Sequence, residues 1–384
     1  MITTDSRRGR LALMTGHCAG MVDLVALPVW VGTLVAQYRF DAQQAGMLAS
    51  LFLGGAVLAS IALASRFDRL NGRLVATLGF GLAALGFGVA AGASDFATLA
   101  VLHALSGMAS GAALSATHGT IARSGRPHRL FAIVGMALAV FGIAFMGATP
   151  PLVAQLGGPV LFQVFGGVMV VAALAAALAF PVADAVRTPV QAGGRAPLPA
   201  AVWCGIVGIA CMGLVQAMTF SFLERVGSDR GFGAAAVTGV LVALGIVNFA
   251  PPALAALLEK RLDARRVLLG GAALQALLVC VIMLSTQFIA YALAASVFAA
   301  VMIFTHTFAF GLLARLDPSG RALAATPAML MTGAAIGPVL GGTLVKSFGY
   351  GSLAIAATAI AVVALLCFSR LPATGAAPRQ RALA

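Results

Sequence analysis

VADAVRTPVQAGGRAPLP, residues 182–199, is the longest polar interruption in a chain of 384 residues that is otherwise built of long apolar stretches. Its proline and glycine content suits a linker between folded blocks. A helix needs about 20 largely apolar residues to cross a bilayer core. Counted backwards from the linker by that rule, spans fall at approximately 159–181, 130–154, 97–121, 74–93, 44–64 and 11–37. Counted forwards, they fall at approximately 200–223, 233–255, 267–285, 288–313, 322–345 and 351–369. The pattern predicts an all-α polytopic membrane protein of twelve transmembrane helices in two six-helix bundles. Residues 1–181 form the first bundle, 182–199 a cytoplasmic linker, and 200–384 the second bundle with a short tail.

Composition agrees with membrane residence. The hydrophobic set makes up 61% of the chain and charged residues 9%, where a soluble domain carries roughly 25% charged residues. The mean hydropathy is +1.03. Lysine and arginine total 24 against 11 acids, a formal charge of +13. In a soluble chain that surplus would suggest nucleic acid as a partner, but here the basic residues sit in short runs between spans, and no nucleic-acid role is expected. Under the twelve-span division, 20 of the 24 fall on the face that carries the N-terminus, leaving Arg39, Arg225, Arg230 and Lys346 on the other. The positive-inside rule then places both termini in the cytoplasm of a bacterial-type inner (plasma) membrane. The first apolar run, at about 27 residues, is too long for a signal-peptide core and reads as a retained span.

Several chemistries are unsupported by motif. Cys18, Cys204, Cys211, Cys280 and Cys367 form no CxxC pair, so neither a structural zinc site nor a disulfide framework is expected. There is no GxSxG elbow, no HExxH pair and no GxxxxGK[ST] loop, which argues against an enzyme and against ATP coupling within the chain. No cofactor is expected, and work would have to come from an ion or solute gradient.

The two blocks echo one another at an offset of 191–192 residues. RFDRLNGR at 66–73 stands opposite LLEKRLDA at 257–264, Ala122-Arg123 opposite Ala314-Arg315, and Gly158 opposite Gly349. Parallel six-helix repeats suit alternating access. With the repeat in view, the whole chain resembles the major facilitator superfamily. The 2–3 loop is similar to that family's cytoplasmic motif, with Ala64 at the usual glycine position, Asp68 and Arg69 matching, and Gly72 and Arg73 one residue late. GAAIGPVLGGTLVKSFGY at 333–350 is similar to the family's span 11, and His103, Ser106 and Gly107 stand where the antiporter branch often has Arg, a polar residue and Gly in span 4. Gly135, Gly142, Gly147 and Pro150-Pro151 loosely resemble that branch's span 5 motif. The resemblance implies a secondary transporter of the proton-coupled drug or metabolite efflux branch. It implies gating roles for Asp68, Arg69, Gly72 and Arg73, with Glu259 and Lys260 as their second-half counterparts. It also implies that spans 1, 4, 7 and 10 line a central cavity. One chain holding both halves implies a functional monomer.

Polar residues inside apolar spans are expensive and usually face the bundle interior or a wet pathway. Asp23 is the one acid deep in a span as divided above, and a carboxyl there can exchange a proton for a bound solute. His17, His103, His118 and His306 fall in spans 1, 4, 4 and 10, and imidazole both donates and accepts. His17 and Asp23 are six positions apart, so their faces differ by about 240°; Asp23 is expected to meet His306 or a residue of span 4. Gln216, Asn248 and Trp30 complete the candidate proton-coupling or solute-binding set, each with an equally ordinary packing or anchoring reading.

No lysine or arginine lies deep in a span, which disfavours phosphorylated and most anionic solutes. The expected partners are therefore the lipid bilayer, protons and a small amphipathic neutral or cationic compound moved by antiport. Two alternatives stay open: uptake of a small metabolite or monocarboxylate with protons, and transition-metal (copper) transport using His17, Cys18, Met21, Met302 and His306.

Overall fold

The computed structural model describes residues 2–64, 70–182, 198–259, 261–317 and 321–372. Asp68, Arg69 and Lys260 of the expected gating loops, and most of the expected linker, lie outside the described residues. Among those described there are fifteen helices and no strand.

The helices form twelve rods. Rod 1 is α1 (Arg7–Gly20) with α2 (Val22–Ala36), and rods 2 to 6 are α3 (Ala42–Ala64), α4 (Gly72–Ala90), α5 (Phe96–Ala122), α6 (Pro127–Leu156) and α7 (Pro159–Ala179). Rod 7 is α8 (Ala200–Ser221) with α9 (Leu223–Asp229), and rod 8 is α10 (Ala234–Val247) with α11 (Ala250–Leu258). Rods 9 to 12 are α12 (Ala264–Leu284), α13 (Phe288–Leu316), α14 (Arg321–Phe348) and α15 (Gly351–Ser369). Eleven rods are long and apolar enough to cross a bilayer, and α14, at 28 residues, completes the alternation. The twelve-helix polytopic expectation is met.

The few polar residues near the rod ends set where several helices begin. Asn71 accepts from the Arg73 and Leu74 backbone N–H groups at the start of α4, and Asp95 accepts from Thr98 N at 2.8 Å to cap α5. Asp263 does the same for α12 through Arg266 N at 3.0 Å. A side-chain oxygen at this position satisfies a donor that the helix itself leaves orphaned.

Three rods differ from the continuous spans expected. Rod 1 breaks at Met21 and rod 7 at Phe222, both with φ near −108° and ψ near +10° (Met21 −107°, 14°; Phe222 −108°, 6°). Rod 8 breaks at Asn248-Phe249, just ahead of Pro251 and Pro252, whose rings cannot continue the helical hydrogen-bond ladder. Rod 7 also runs to Asp229 rather than stopping near 223. Its polar last turns are satisfied internally: Ser228 Oγ donates to Glu224 Oε1 at 2.7 Å, and Arg225 pairs with Asp229 at 2.5 Å, both at the i,i+4 spacing.

Rods 2, 3 and 4 pack together within the first half, and α8 packs with α14 within the second. Glycine makes these approaches possible: a Cβ on Gly79 would lie 2.5 Å from Ala109 O, and one on Gly333 2.5 Å from Ala210 O. Between the halves, α3 packs along α14, α2 against α8 and α9, and α6 against α10. The α3–α14 contacts at Gly46, Ser50 and Gly342 all lie toward the face opposite the N-terminus. There Val339 N donates to Ser50 Oγ at 3.0 Å, and Lys346 pairs with Asp41 at 2.9 Å. This face, called the far face below, is held shut by backbone-to-backbone contact.

Candidate functional site

Rods 1 and 4 run antiparallel and touch at residues two heptads apart on each. Gly16 faces Thr117, with its would-be Cβ 3.0 Å from Thr117 Oγ1. Two heptads along rod 1 and two back along rod 4, Trp30 Nε1 donates to His103 Nε2 at 3.3 Å. Residues seven apart on a helix return to nearly the same face, drifting about 20°. By sequence number Asp23 and Ser110 are the midpoints of these two stretches, but the break at Met21 interrupts the heptad register, and α2 packs chiefly on α3, α6 and α8. Asp23 and Ser110 are each 1% exposed. Asp23 Oδ1 and Ser110 Oγ are buried and without a hydrogen-bond partner among the described residues. Ser115, Thr117 and Thr120 on the same helix all bond back to the carbonyl four residues earlier, which Ser110 does not.

Asp23 sits in the first turn of α2, immediately after the break at Met21, and the backbone N–H groups of Asp23 and Leu24 face its carboxyl. The break therefore gives the acid helix-terminal donors, while Oδ1 has no partner among the described residues. No side-chain hydrogen bond joins Asp23 to a residue of span 4 among the described residues. Among the described residues no hydrogen bond joins it to His306.

The histidines fall into three settings. His103 is 1% exposed; its Nδ1 is 2.6 Å from Leu99 O and its Nε2 accepts from Trp30. Donation to the carbonyl and acceptance from the indole fix one neutral tautomer with both nitrogens used. Phe52, Phe87 and Phe165 ring Trp30, while Phe87 and Phe162 contact His103, so this pair lies in an aromatic core. His17 Nδ1 and His118 Nε2 are 2.9 Å apart across rods 1 and 4, toward the face of the N-terminus. Leu114, packed on Gly20, stands between that imidazole pair and Asp23. His306 bonds through Nδ1 to Met302 O at 2.9 Å and stacks at a tilt on Phe310.

In the second half, Gln275 Nε2 donates to Met212 O and to Gln216 Oε1, each at 3.2 Å, leaving the partly buried Gln216 amide nitrogen for another partner. Asn248 lies at the rod 8 break, and its Oδ1 is buried without a partner among the described residues. Rods 1 and 8 flank the same stretch of rod 5: Val25 packs on Gly142, and Gly245 on Ile143. Gly72 begins α4 beneath Phe180, and the Arg73 guanidinium donates to Ala177 O, tying rod 3 to rod 6. Glu259 caps the end of α11.

The described residues bring together no group of three or more His, Cys, Asp or Glu side chains able to hold a metal. His17 Nδ1 lies against His118 Nε2 and His306 Nδ1 against Met302 O.

Two residues escape a reading of the sequence. Ser110 is an ordinary serine in the sequence, and its buried, unpartnered hydroxyl shows only in the fold. Glu224 falls just beyond span 7 as divided by sequence, yet it lies on α9 past the Phe222 break in the same rod and against the other half: a Cβ on Gly32 of α2 would lie 2.9 Å from Glu224 Cδ. The i,i+4 partners Ser228 and Asp229 are the signal that the helix continues.

A profile of the Major Facilitator Superfamily matches residues 12–316. Among solved structures, the nucleoside transporter NupG is similar over 95% of this chain and 99% of its own, with a TM-score of 0.75 and 14% identity. A bacterial homologue of the human lysosomal transporter Spinster, in an inward-facing and occupied conformation, is similar over 94% of each chain, with a TM-score of 0.71 and 14% identity. A search of curated proteins gives no match. The family match over most of the chain and the shared twelve-rod fold make the protein a member of the Major Facilitator Superfamily, a multi-pass membrane transporter and not an enzyme.

Proposed function

We propose that the protein is a proton-coupled antiporter that exports a small amphipathic neutral or cationic compound from the cytoplasm. It works by alternating access of two six-helix bundles (1–181 and 200–384) in a bacterial-type inner membrane, with both termini cytoplasmic and the monomer as the functional unit. The observation that carries this reading is Asp23 itself: a buried acid with one unpartnered oxygen, beside the helix break in rod 1. A carboxyl in such a place is retained most cheaply with either a proton or a cation beside it. Exclusive occupancy by one or the other is the elementary step of antiport. The closed far face favours a state open toward the cytoplasm, as does the likeness to an inward-facing Spinster homologue.

Loading from the cytoplasm would then displace a proton from Asp23. Gln216 and Asn248, in the second half, would supply neutral hydrogen bonds for orienting the solute. The histidines divide the remaining work: His103 braces Trp30, and the His17–His118 pair ties rods 1 and 4 nearer the cytoplasmic mouth.

Proton release on ligand addition, measured with the purified protein in weak buffer across lipophilic cations, neutral drugs and small metabolites, tests this directly. Release that vanishes in Asp23→Asn supports exclusive occupancy. Undiminished release in that variant removes Asp23 from coupling.

A second reading, proton-coupled uptake of a neutral polar metabolite, is favoured by the free amide groups of Gln216 and Asn248 and by the likeness to a nucleoside transporter. Ligand binding without proton release, together with counterflow of a nucleoside, would select it.

A further inference from the structure

Glu224 is the second acid inside a rod, and its setting differs from that of Asp23. It lies one residue pair past the rod 7 break, on α9, and packs on the backbone of Gly32 in rod 1. Gly32 belongs to the first half and Glu224 to the second, so this contact exists only while the far ends of rods 1 and 7 are together. A side chain at position 32 would occupy the space the carboxyl takes. Glycine there reads as a seat for the acid.

The charged and titratable groups around it are all otherwise engaged. On its own helix Arg225 pairs with Asp229, and Arg230 donates to the Ile282 and Met283 carbonyls on rod 9. Asp229 also accepts from Tyr350 at 2.6 Å. From rod 10, Tyr291 donates to Leu223 O at 2.7 Å. From rod 1, α2 offers no ionisable side chain except Asp23, nine residues deeper. Rod 8's α10 offers none. The only hydrogen bond to the Glu224 carboxyl among the described residues comes from Ser228. No lysine or arginine forms an ion pair with it among them.

We propose that Glu224 is a proton-binding site separate from Asp23, and that its proton is taken up from the far side as the far face closes onto Gly32. Pressed against a backbone, the ionised carboxyl loses its hydration and gains only one hydroxyl and the attraction of Arg225, whose ion pair is already made with Asp229. Protonated, it carries no such cost. Opening the far face restores water to the carboxyl, so ionisation and opening favour one another. The site acts on the equilibrium between the two faces, whereas Asp23 acts on the exchange of solute for proton. The inference needs only that the protein alternates between faces, and it survives if Asp23 proves uncoupled.

The test uses full-length protein in nanodiscs with the native cysteines replaced by alanine and spin labels at Ser94→Cys and Thr286→Cys, which lie on far-face loops of opposite halves. In the parent protein the ratio of open to closed far-face distances rises with pH, approaching tenfold per pH unit where one proton is linked. Glu224→Gln, which keeps the shape and loses the proton site, is expected to stay closed at every pH. Gly32→Ala crowds the carboxyl out of its seat and is expected to weaken the pH response. Asp23→Asn is expected to keep the parent's pH response. A parent-like pH response in Glu224→Gln would overturn the proposal, as would a response that disappears in Asp23→Asn.

Discussion

The far-face seam between rods 2 and 11 gives the most direct test of how closure is built. Gly46 and Gly342 sit where α3 and α14 meet without intervening side chains. A Cβ on Gly46 would lie 2.7 Å from the Pro338 carbonyl carbon, about 0.7 Å inside the 3.4 Å at which ordinary contact begins. The atom it meets is backbone, so rotating a side chain gives no relief and the two helices must separate. Overpacking of this kind costs about 1–3 kcal/mol. The cost falls only on the closed state, since opening moves rod 2 and rod 11 apart. Gly46→Ala is therefore expected to shift the closed-to-open ratio of the far face by about 5–150-fold. Gly54, two turns along α3, has no atom within 4 Å of its would-be Cβ. Gly54→Ala is the control, expected to leave the ratio alone and to share any gain in helix propensity of about 1 kcal/mol. Spin-label distances between Ser94→Cys and Thr286→Cys report both. Equal distance distributions in Gly46→Ala and Gly54→Ala, with both proteins folded, would refute the claim that backbone contact holds this face shut.

Two further outcomes follow from the same geometry. Trp30→Phe leaves the buried His103 Nε2 without its donor and is expected to destabilise the fold by about 2–4 kcal/mol, read as a lowered thermal midpoint; an unchanged midpoint would show that the aromatic core does not rely on that bond. Partial burial pushes the Asp41 carboxyl up, but the Lys346 ammonium and the Gln44 N–H outweigh it and hold the group below its ordinary 3.8. A depressed folded value makes the Asp41–Lys346 tie fully present above the ordinary value and lost as pH falls through the folded one. Acidification below about 3.8 should then loosen the far face in the parent and not in Asp41→Asn, in a window and a direction opposite to the closing ascribed to Glu224.

Membrane architecture was legible because it rests on long-range regularities. Twelve apolar runs and a 20-to-4 split of basic residues survive any error of a few residues in boundaries. The breaks were not legible in the same way. Pro251-Pro252 announces the rod 8 break, but Met21 and Phe222 are residues that continue helices elsewhere. The end of rod 7 was misplaced for a specific reason: Glu224, Arg225, Asp229 and Arg230 resemble a loop by charge alone, whereas pairing at i,i+4 lets the helix carry them.

The candidate site shows where such reading stops. Asp23 could be singled out because one acid in an apolar run is costly wherever it points. Its unpartnered oxygen could not, since only the packing of the folded chain shows that no neighbouring side chain takes it. His103 shows the converse: its family position and its titratable ring suggest coupling, yet Leu99 and Trp30 use both nitrogens and the surrounding phenylalanines leave no path to water. A histidine whose two nitrogens are committed to fixed partners can change charge only by breaking one of those bonds inside an aromatic core. The acids carry no such commitment. Asp23 keeps one oxygen free and Glu224 has a single hydroxyl, so each can gain or lose a proton while its helix stays in place. Asp23 lies in the middle of rod 1, and Glu224 lies against Gly32 where the two halves meet. On the proposed reading, that division would separate the exchange of solute for proton from the closing of the far face, so that a substitution at either acid alters one and leaves the other intact.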